Sequence, residues 1–192
     1  EAGVFEYMLS LPVSLAAWFW GKFIGRLFVV FIPVLGAMLL AMAWAAFKGS
    51  EIPWVSVTFY TGLLLSLAWC FLGIGMLISS LARSSDVAQG IAFIAWLVLL
   101  LFLDLILLGL MVQGGMQAET AVIVALANPL QVFRTASMLL FDPQLVLLGP
   151  SAYVILDHFS TMGYLTYALL YPVAVGTLSA FLGFLYFRKS RS

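Results

Sequence analysis

Asp104 is the acidic residue set deepest in an apolar run, Phe102-Leu103-Asp104-Leu105-Ile106-Leu107-Leu108. If that run crosses a bilayer, a carboxyl group near its centre costs roughly 2.5–3.5 kcal/mol on insertion scales, so it must face protein or water. Counting inward from the outer helix ends places Ser66 and Tyr171 at similar depth, with Tyr167 nearby. Two uses of such a set stand side by side: a polar contact between helices or subunits, or a polar point on a route across the membrane. Arg134 shares its side with Asp142 and Asp157. Exposed pairs contribute only about 0–1 kcal/mol. Arg134, just after Asn128-Pro129, therefore suits a positioning role, or contact with an external partner, better than a stabilising one.

Catalytic patterns do not assemble. Gly21-Lys22 has Ala16 where the first glycine of a phosphate-binding loop would stand, and Phe23 where Ser or Thr would follow. A single histidine allows no Ser/His/Asp geometry, so no residue is assigned as catalytic and the chain is read as no enzyme. The lone cysteine, Cys70, lies in an apolar run with no second thiol, which gives neither a disulfide nor a zinc signal.

The elements that must carry these residues follow from composition. Hydrophobic residues make up 65% of the 192, charged residues 8%, and mean hydropathy is +1.17. A soluble domain draws about a quarter of its residues from charged types, so lipid must cover much of this surface. Formal net charge is zero, and no long-range field draws in nucleic acid. A spanning helix needs about 20 apolar residues. Four stretches meet that length: 27–47, 57–82, 87–112 and 164–187. Period-two alternation is absent, and an open sheet would leave backbone groups unpaired in lipid. The expected fold is all-α, a polytopic transmembrane bundle forming one domain over 1–192.

Lys22, Arg26, Arg83, Arg188, Lys189 and Arg191 fall on one side of these spans, and Lys48 and Arg134 on the other. The basic-rich side is cytoplasmic, which puts both termini inside. Trp18, Phe19 and Trp20 then sit at the inner headgroups, and Trp54, Phe59 and Tyr60 at the outer. The outer connection, 113–163, holds two short helices, 119–127 and 130–141, broken at Asn128-Pro129. Leu130, Phe133, Met138 and Phe141 would form an apolar face opposite Gln131, Arg134 and Ser137. This hairpin either lies on or dips into the outer leaflet, or caps the bundle as a lid.

Residues 1–26 precede the first span as a cytoplasmic and interfacial segment. The chain opens at Glu1-Ala2-Gly3, with no initiator methionine, basic leader or early apolar stretch, and reads as beginning inside a longer bundle. Phe5, Met8 and Leu9 lie at helical spacing, flanked by Glu1 and Glu6, until Pro12 ends the short helix. A rigid apolar-edged helix suits a groove on a partner. An amphipathic helix at the inner headgroups is the plainer alternative, against which the acidic flanks count.

The run E-x-G-x-x-E-x-x-L-S-x-P-V-S over 1–14, with Gly21-Lys22 after it, resembles the coupling-helix region of ABC-2 type permeases. In that family it sits between the second and third of six helices, and a basic residue commonly follows P-V-S where this chain has Leu15. Asp104 in its apolar run and Ala127-Asn128-Pro129-Leu130-Gln131-Val132-Phe133-Arg134 are similar to the multicopper-enzyme-maturation branch. The resemblance implies that the four spans are the last four of six. It implies that Glu1, Gly3, Phe5, Glu6, Met8, Leu9 and Pro12 couple to a cytoplasmic nucleotide-binding subunit. That partner would hold ATP and Mg²⁺, leaving no cofactor in this chain. A second permease copy and an external partner complete the implied assembly in the inner membrane. The implied activity is ATP-driven movement of cargo for copper-enzyme metal centres. Export of lipid-linked or drug-like molecules is a rival, as is a non-transporting scaffold that recruits external proteins.

Service to copper enzymes raises a metal site within the chain. His158 and Met162 would share a face if that stretch were helical, and Met111 and Met116 lie on the same side. Soft thioethers suit Cu(I), but methionine is also a common filler of apolar gaps. With no Cys-x-x-Cys and no tight methionine cluster, no metal site is assigned.

Overall fold

The computed structural model describes residues 14–102, 105, 109, 118–142, 145, 155 and 157–189. Ser14 opens helix α1 (Leu15–Phe47), its hydroxyl accepting the Ala17 amide at 3.2 Å. The helix starts well before the span expected at 27–47. Residues 15–26 contain no breaker stronger than Gly21 and Gly25, each costing about 1 kcal/mol relative to alanine. Phe19, Phe23 and Leu27, four apart, are all buried, and that aromatic stripe offsets the glycines. At the far end the Ser50 amide reaches the Ala45 carbonyl and the Gly49 amide the Ala46 carbonyl. This closure needs the left-handed backbone that Gly49 supplies at φ 76.

Helix α2 (Trp54–Leu81) leads through a short turn to α3 (Ser85–Leu97), capped by the Ser84 hydroxyl and continued by a π-helical turn at Val98–Phe102. Two short helices follow, α4 (Ala118–Leu126) and α5 (Pro129–Phe141), then α6 (Thr161–Lys189). Among the described residues three helices, α1, α2 and α6, are long and apolar enough to cross a membrane. The outer part of the expected span 87–112, Asp104 included, lies outside the described residues except at 105 and 109. No strand occurs among the described residues, and the chain is an all-α helical bundle.

The most extensive packing joins α2 to α6. The two run in the same direction, since Ser66 meets Leu169, Gly73 meets Gly176 and Leu77 meets Gly183 in turn. Their backbones touch at the glycines. A Cβ on Gly73 would collide with the Gly176 carbonyl, and one on Gly176 would lie 2.7 Å from Cys70 Cα. Without a hydrophobic drive inside lipid, such close approach is how spans gain dispersion energy. Gly21, Gly25 and Gly75, by contrast, have no described residue within 4 Å of a built Cβ.

Each end of this pair carries its own cluster. At one end Phe19 and Phe23 of α1 pack with Met76 and Ala180, flanked by Trp18, Trp20, Trp69, Leu72, Phe184 and Phe187. At the other, Leu63, Tyr164, Leu165 and Ala168 pack with Val122 of α4 and Val132, Ala136 and Leu139 of α5. The face of α5 that is buried is thus Val132, Thr135, Ala136 and Leu139. The expected face 130/133/138/141 is corrected: Phe141 is exposed and Leu130, Phe133 and Met138 only half-buried. The hairpin docks against the bundle instead of lying loose on it, because α2 and α6 offer a ready-made apolar surface to the smaller side chains.

Beyond Leu27, α1 buries no residue, although Met38 still meets α2, its sulfur 3.8 Å from the Thr61 hydroxyl. Val29, Leu40 and Phe47 are 74%, 75% and 87% exposed. Helix α3 buries none of Ser85–Leu97.

Candidate functional site

The cluster at the α1 end is built almost entirely of rings. Phe23 meets Trp69 edge-on at 4.7 Å, Phe19 tilts against Phe184 at 5.4 Å, and Trp18 stacks on Phe187 at 5.4 Å. Trp69 also donates its indole N–H to Thr177 Oγ1 at 3.0 Å, which ties α2 to α6 next to the cluster. Lys22 stands 4.9 Å over the Trp18 ring, and Arg26 reaches the Met76 sulfur at 3.5 Å. Arg188 and Lys189 occupy the last turn of α6, where cations suit the helix dipole. One end of the bundle therefore joins three helices through a stiff aromatic contact ringed with positive charge. Residues 1–13, which hold Glu1, Gly3, Phe5, Glu6, Met8, Leu9 and Pro12, lie outside the described residues and connect directly to this end.

At the opposite end Asn128, Tyr167, Tyr171 and Ser66 each hydrogen-bond to a backbone carbonyl of another element. Asn128 is 2% exposed and Pro129 is buried. Both side chains are turned into the bundle in this conformation. Asn128 is the cap of α5: its Oδ1 accepts the Leu130 amide at 3.0 Å. Its Nδ2 donates to the Leu99 carbonyl at 2.7 Å, in the π-helical turn of α3. Tyr171 donates its hydroxyl to the Ala127 carbonyl at 2.6 Å, and Tyr167 to Leu126 at 2.9 Å. The two phenol rings stack with centroids 5.2 Å apart. The last carbonyls of α4, which no helical amide can reach, are thus satisfied from α6. Ser66 donates to the Leu169 carbonyl at 2.6 Å. Ser66 and Tyr171 therefore make interhelical polar contacts in this conformation.

Arg134 is exposed on α5 and lines an open groove of about 580 Å³ with Tyr60, Phe133, Ser137, Met138, Phe141 and Asp142. Its walls are aromatic, with Tyr60 6.1 Å from Phe133 and 6.4 Å from Phe141. His158 and Met162 do not share a helical face, because Phe159 and Ser160 interrupt the helix and Ser160 accepts the Gly163 amide at the start of α6. Among the described residues no group of three or more His, Cys, Asp or Glu side chains is placed to hold a metal ion. Sequence reasoning missed Leu99 and the carbonyl partners of both tyrosines. An Asn just before Pro is a recognisable helix-start signal, but its second bond, to a residue 29 positions earlier, leaves no local trace.

A parallel pair of spans with an aromatic contact at one end and a broken helical hairpin docked on the other defines a polytopic α-helical membrane protein. The chain matches the ABC-2 family transporter protein profile over residues 1–191 and belongs to that family. Among curated proteins it is similar to the "Probable ABC transporter permease protein NosY" of Stutzerimonas stutzeri, with 28% identity over 149 residues, covering 74% of this chain and 54% of the relative. The chain thus spans about half the length of the curated relative it matches.

Proposed function

We propose that this chain is membrane-embedded permease machinery of an ABC transporter, driven by ATP hydrolysed with Mg²⁺ on a separate cytoplasmic subunit. The observation that supports this most is the aromatic contact at the start of α1. Phe19 and Phe23 couple the residues just after 1–13 to the ends of both α2 and α6. A push delivered to the N-terminal segment reaches two spans at once through stiff rings. Farther out α1 buries no residue and meets α2 at Met38 and Thr61, so α1 acts as a lever gripped most firmly at one end. Positive charge at that end, from Lys22, Arg26, Arg83, Arg188 and Lys189, favours a cytosolic location in the inner membrane.

The finer reading is cargo movement for copper-enzyme maturation outside the cytoplasmic membrane, by two permease copies with an external partner. It draws on the likeness to the NosY permease. Export of an amphiphile is favoured by one feature, the aromatic groove with Arg134 and Asp142 among its lining. Its size and apolar walls suit an acyl or drug-like body.

Co-purification of the full-length protein tests the reading. An ATP-hydrolysing subunit should be retained by the intact protein and lost when residues 1–11 are deleted. Retention of external proteins alone, with no ATPase, would favour a scaffold and overturn the proposal.

A further inference from the structure

We infer that Asn128 is a positioning residue that latches the Val98–Phe102 turn at the end of α3 to the break between α4 and α5, so that this end of α3 and the hairpin move as one body. A π-helical turn carries one extra residue per turn and leaves the regular i to i−4 bonding out of step. In hydrocarbon a backbone carbonyl without a partner costs several kcal/mol, and no water is there to replace one. Val98–Phe102 is such a turn, beginning 13 residues into α3 from Ser85. That places it about 20 Å along the helix, at 1.5 Å per residue. Leu99 lies in that turn, and the Asn128 amide donates to its carbonyl at 2.7 Å.

The orientation of that amide is fixed by chemistry. Its oxygen takes the Leu130 N–H and its nitrogen faces the Leu99 carbonyl, so flipping the group would break both bonds. The site is nearly dry, with Asn128 2% exposed. Over Ser85–Leu97 α3 buries no residue, so packing among the described residues holds that stretch weakly and the polar tie adds to it. The hairpin is in turn fastened to α6 by Tyr167 and Tyr171. Movement of α6 thus reaches α3 through residues 126–128. Its use in transport rests on the permease reading, whereas the latch itself rests on these bonds.

The test separates the latch from simple helix capping. Serine is as good a cap as asparagine, but its hydroxyl stops a bond short of the amide nitrogen that meets Leu99. Nitroxide labels at the exposed positions Phe93 on α3 and Phe141 on α5 would be compared in the full-length protein in lipid nanodiscs. A control pair at Val55 and Met162 reports on α2 and α6. The latch predicts one narrow Phe93–Phe141 distance in the parent protein. It predicts a distribution at least twofold broader in both Asn128→Ser and Asn128→Ala, with the control pair unchanged. A parent-like distribution in Asn128→Ser would show capping alone and overturn the latch. A shift of the control pair would show a general folding role and overturn it equally. In complex with a trapped ATPase subunit the Phe93–Phe141 distance should stay narrow, and widening there would contradict movement as one body. Absence of any such subunit sinks the permease reading, while the resting comparison still decides the latch.

Discussion

Single atoms decide most at the glycine contacts between α2 and α6. At Gly176 a methyl group would meet Cys70 Cα and the Trp69 carbonyl oxygen, both 2.7 Å away. These are backbone atoms that cannot turn aside, so the two spans would have to separate. Overpacking of this kind costs about 1–3 kcal/mol. Gly176→Ala should therefore lower the unfolding midpoint in mixed micelles, whereas Gly75→Ala, with open space around it, should leave it unchanged or slightly higher. An equal response of the two variants would refute the backbone contact. Gly73 and Gly75 look alike as sequence, two small residues in one apolar run. Only the angular position of each around α2, which partner helices fix, tells them apart. The same is true of the polar residues. Ser66 and Tyr171 are recognisable as polar groups inside spans, but the carbonyls they bond, Leu169 and Ala127, could come from any neighbouring turn.

Elements were more legible than residues wherever length alone carries the physics. The runs at 57–82 and 164–187 correspond to α2 and α6 because an apolar stretch of that length has no stable alternative in lipid. The break at Asn128-Pro129 was legible because proline excludes the preceding residue from the helical region. The true start of α1 was not, since residues 15–26 mix basic, aromatic and glycine residues and look interfacial until Phe19 and Phe23 find partners on α2 and α6. The buried face of α5 was misread for a related reason: its largest apolar residues stay at the rim while Ala136 and Thr135 make the close contact. This division within α1 has a measurable consequence. Phe23→Ala empties a fully buried ring site and should cost about 3–5 kcal/mol. Val29→Ala, at 74% exposed, should stay within about 0.5 kcal/mol. Unfolding in mixed micelles reads both, and comparable losses would mean that α1 is gripped along its whole length.

On the scale of the molecule, the bundle is a two-ended device. One end gathers α1, α2 and α6 in rings and positive charge; the other holds a broken hairpin by hydrogen bonds to backbone carbonyls. The α2–α6 pair connects them. That arrangement can transmit motion only if the ringed end faces the compartment that contains ATP. Side-specific labelling tests this most directly, using an impermeant maleimide on full-length protein with Cys70 replaced by alanine. Ser85→Cys lies beside the ringed end, in the first turn of α3, and Ser50→Cys in the connection at the opposite end; both positions are exposed. The account predicts that Ser50→Cys reacts in intact cells and Ser85→Cys only in inverted vesicles. Reaction of Ser85→Cys from outside intact cells, with Ser50→Cys protected, would contradict it.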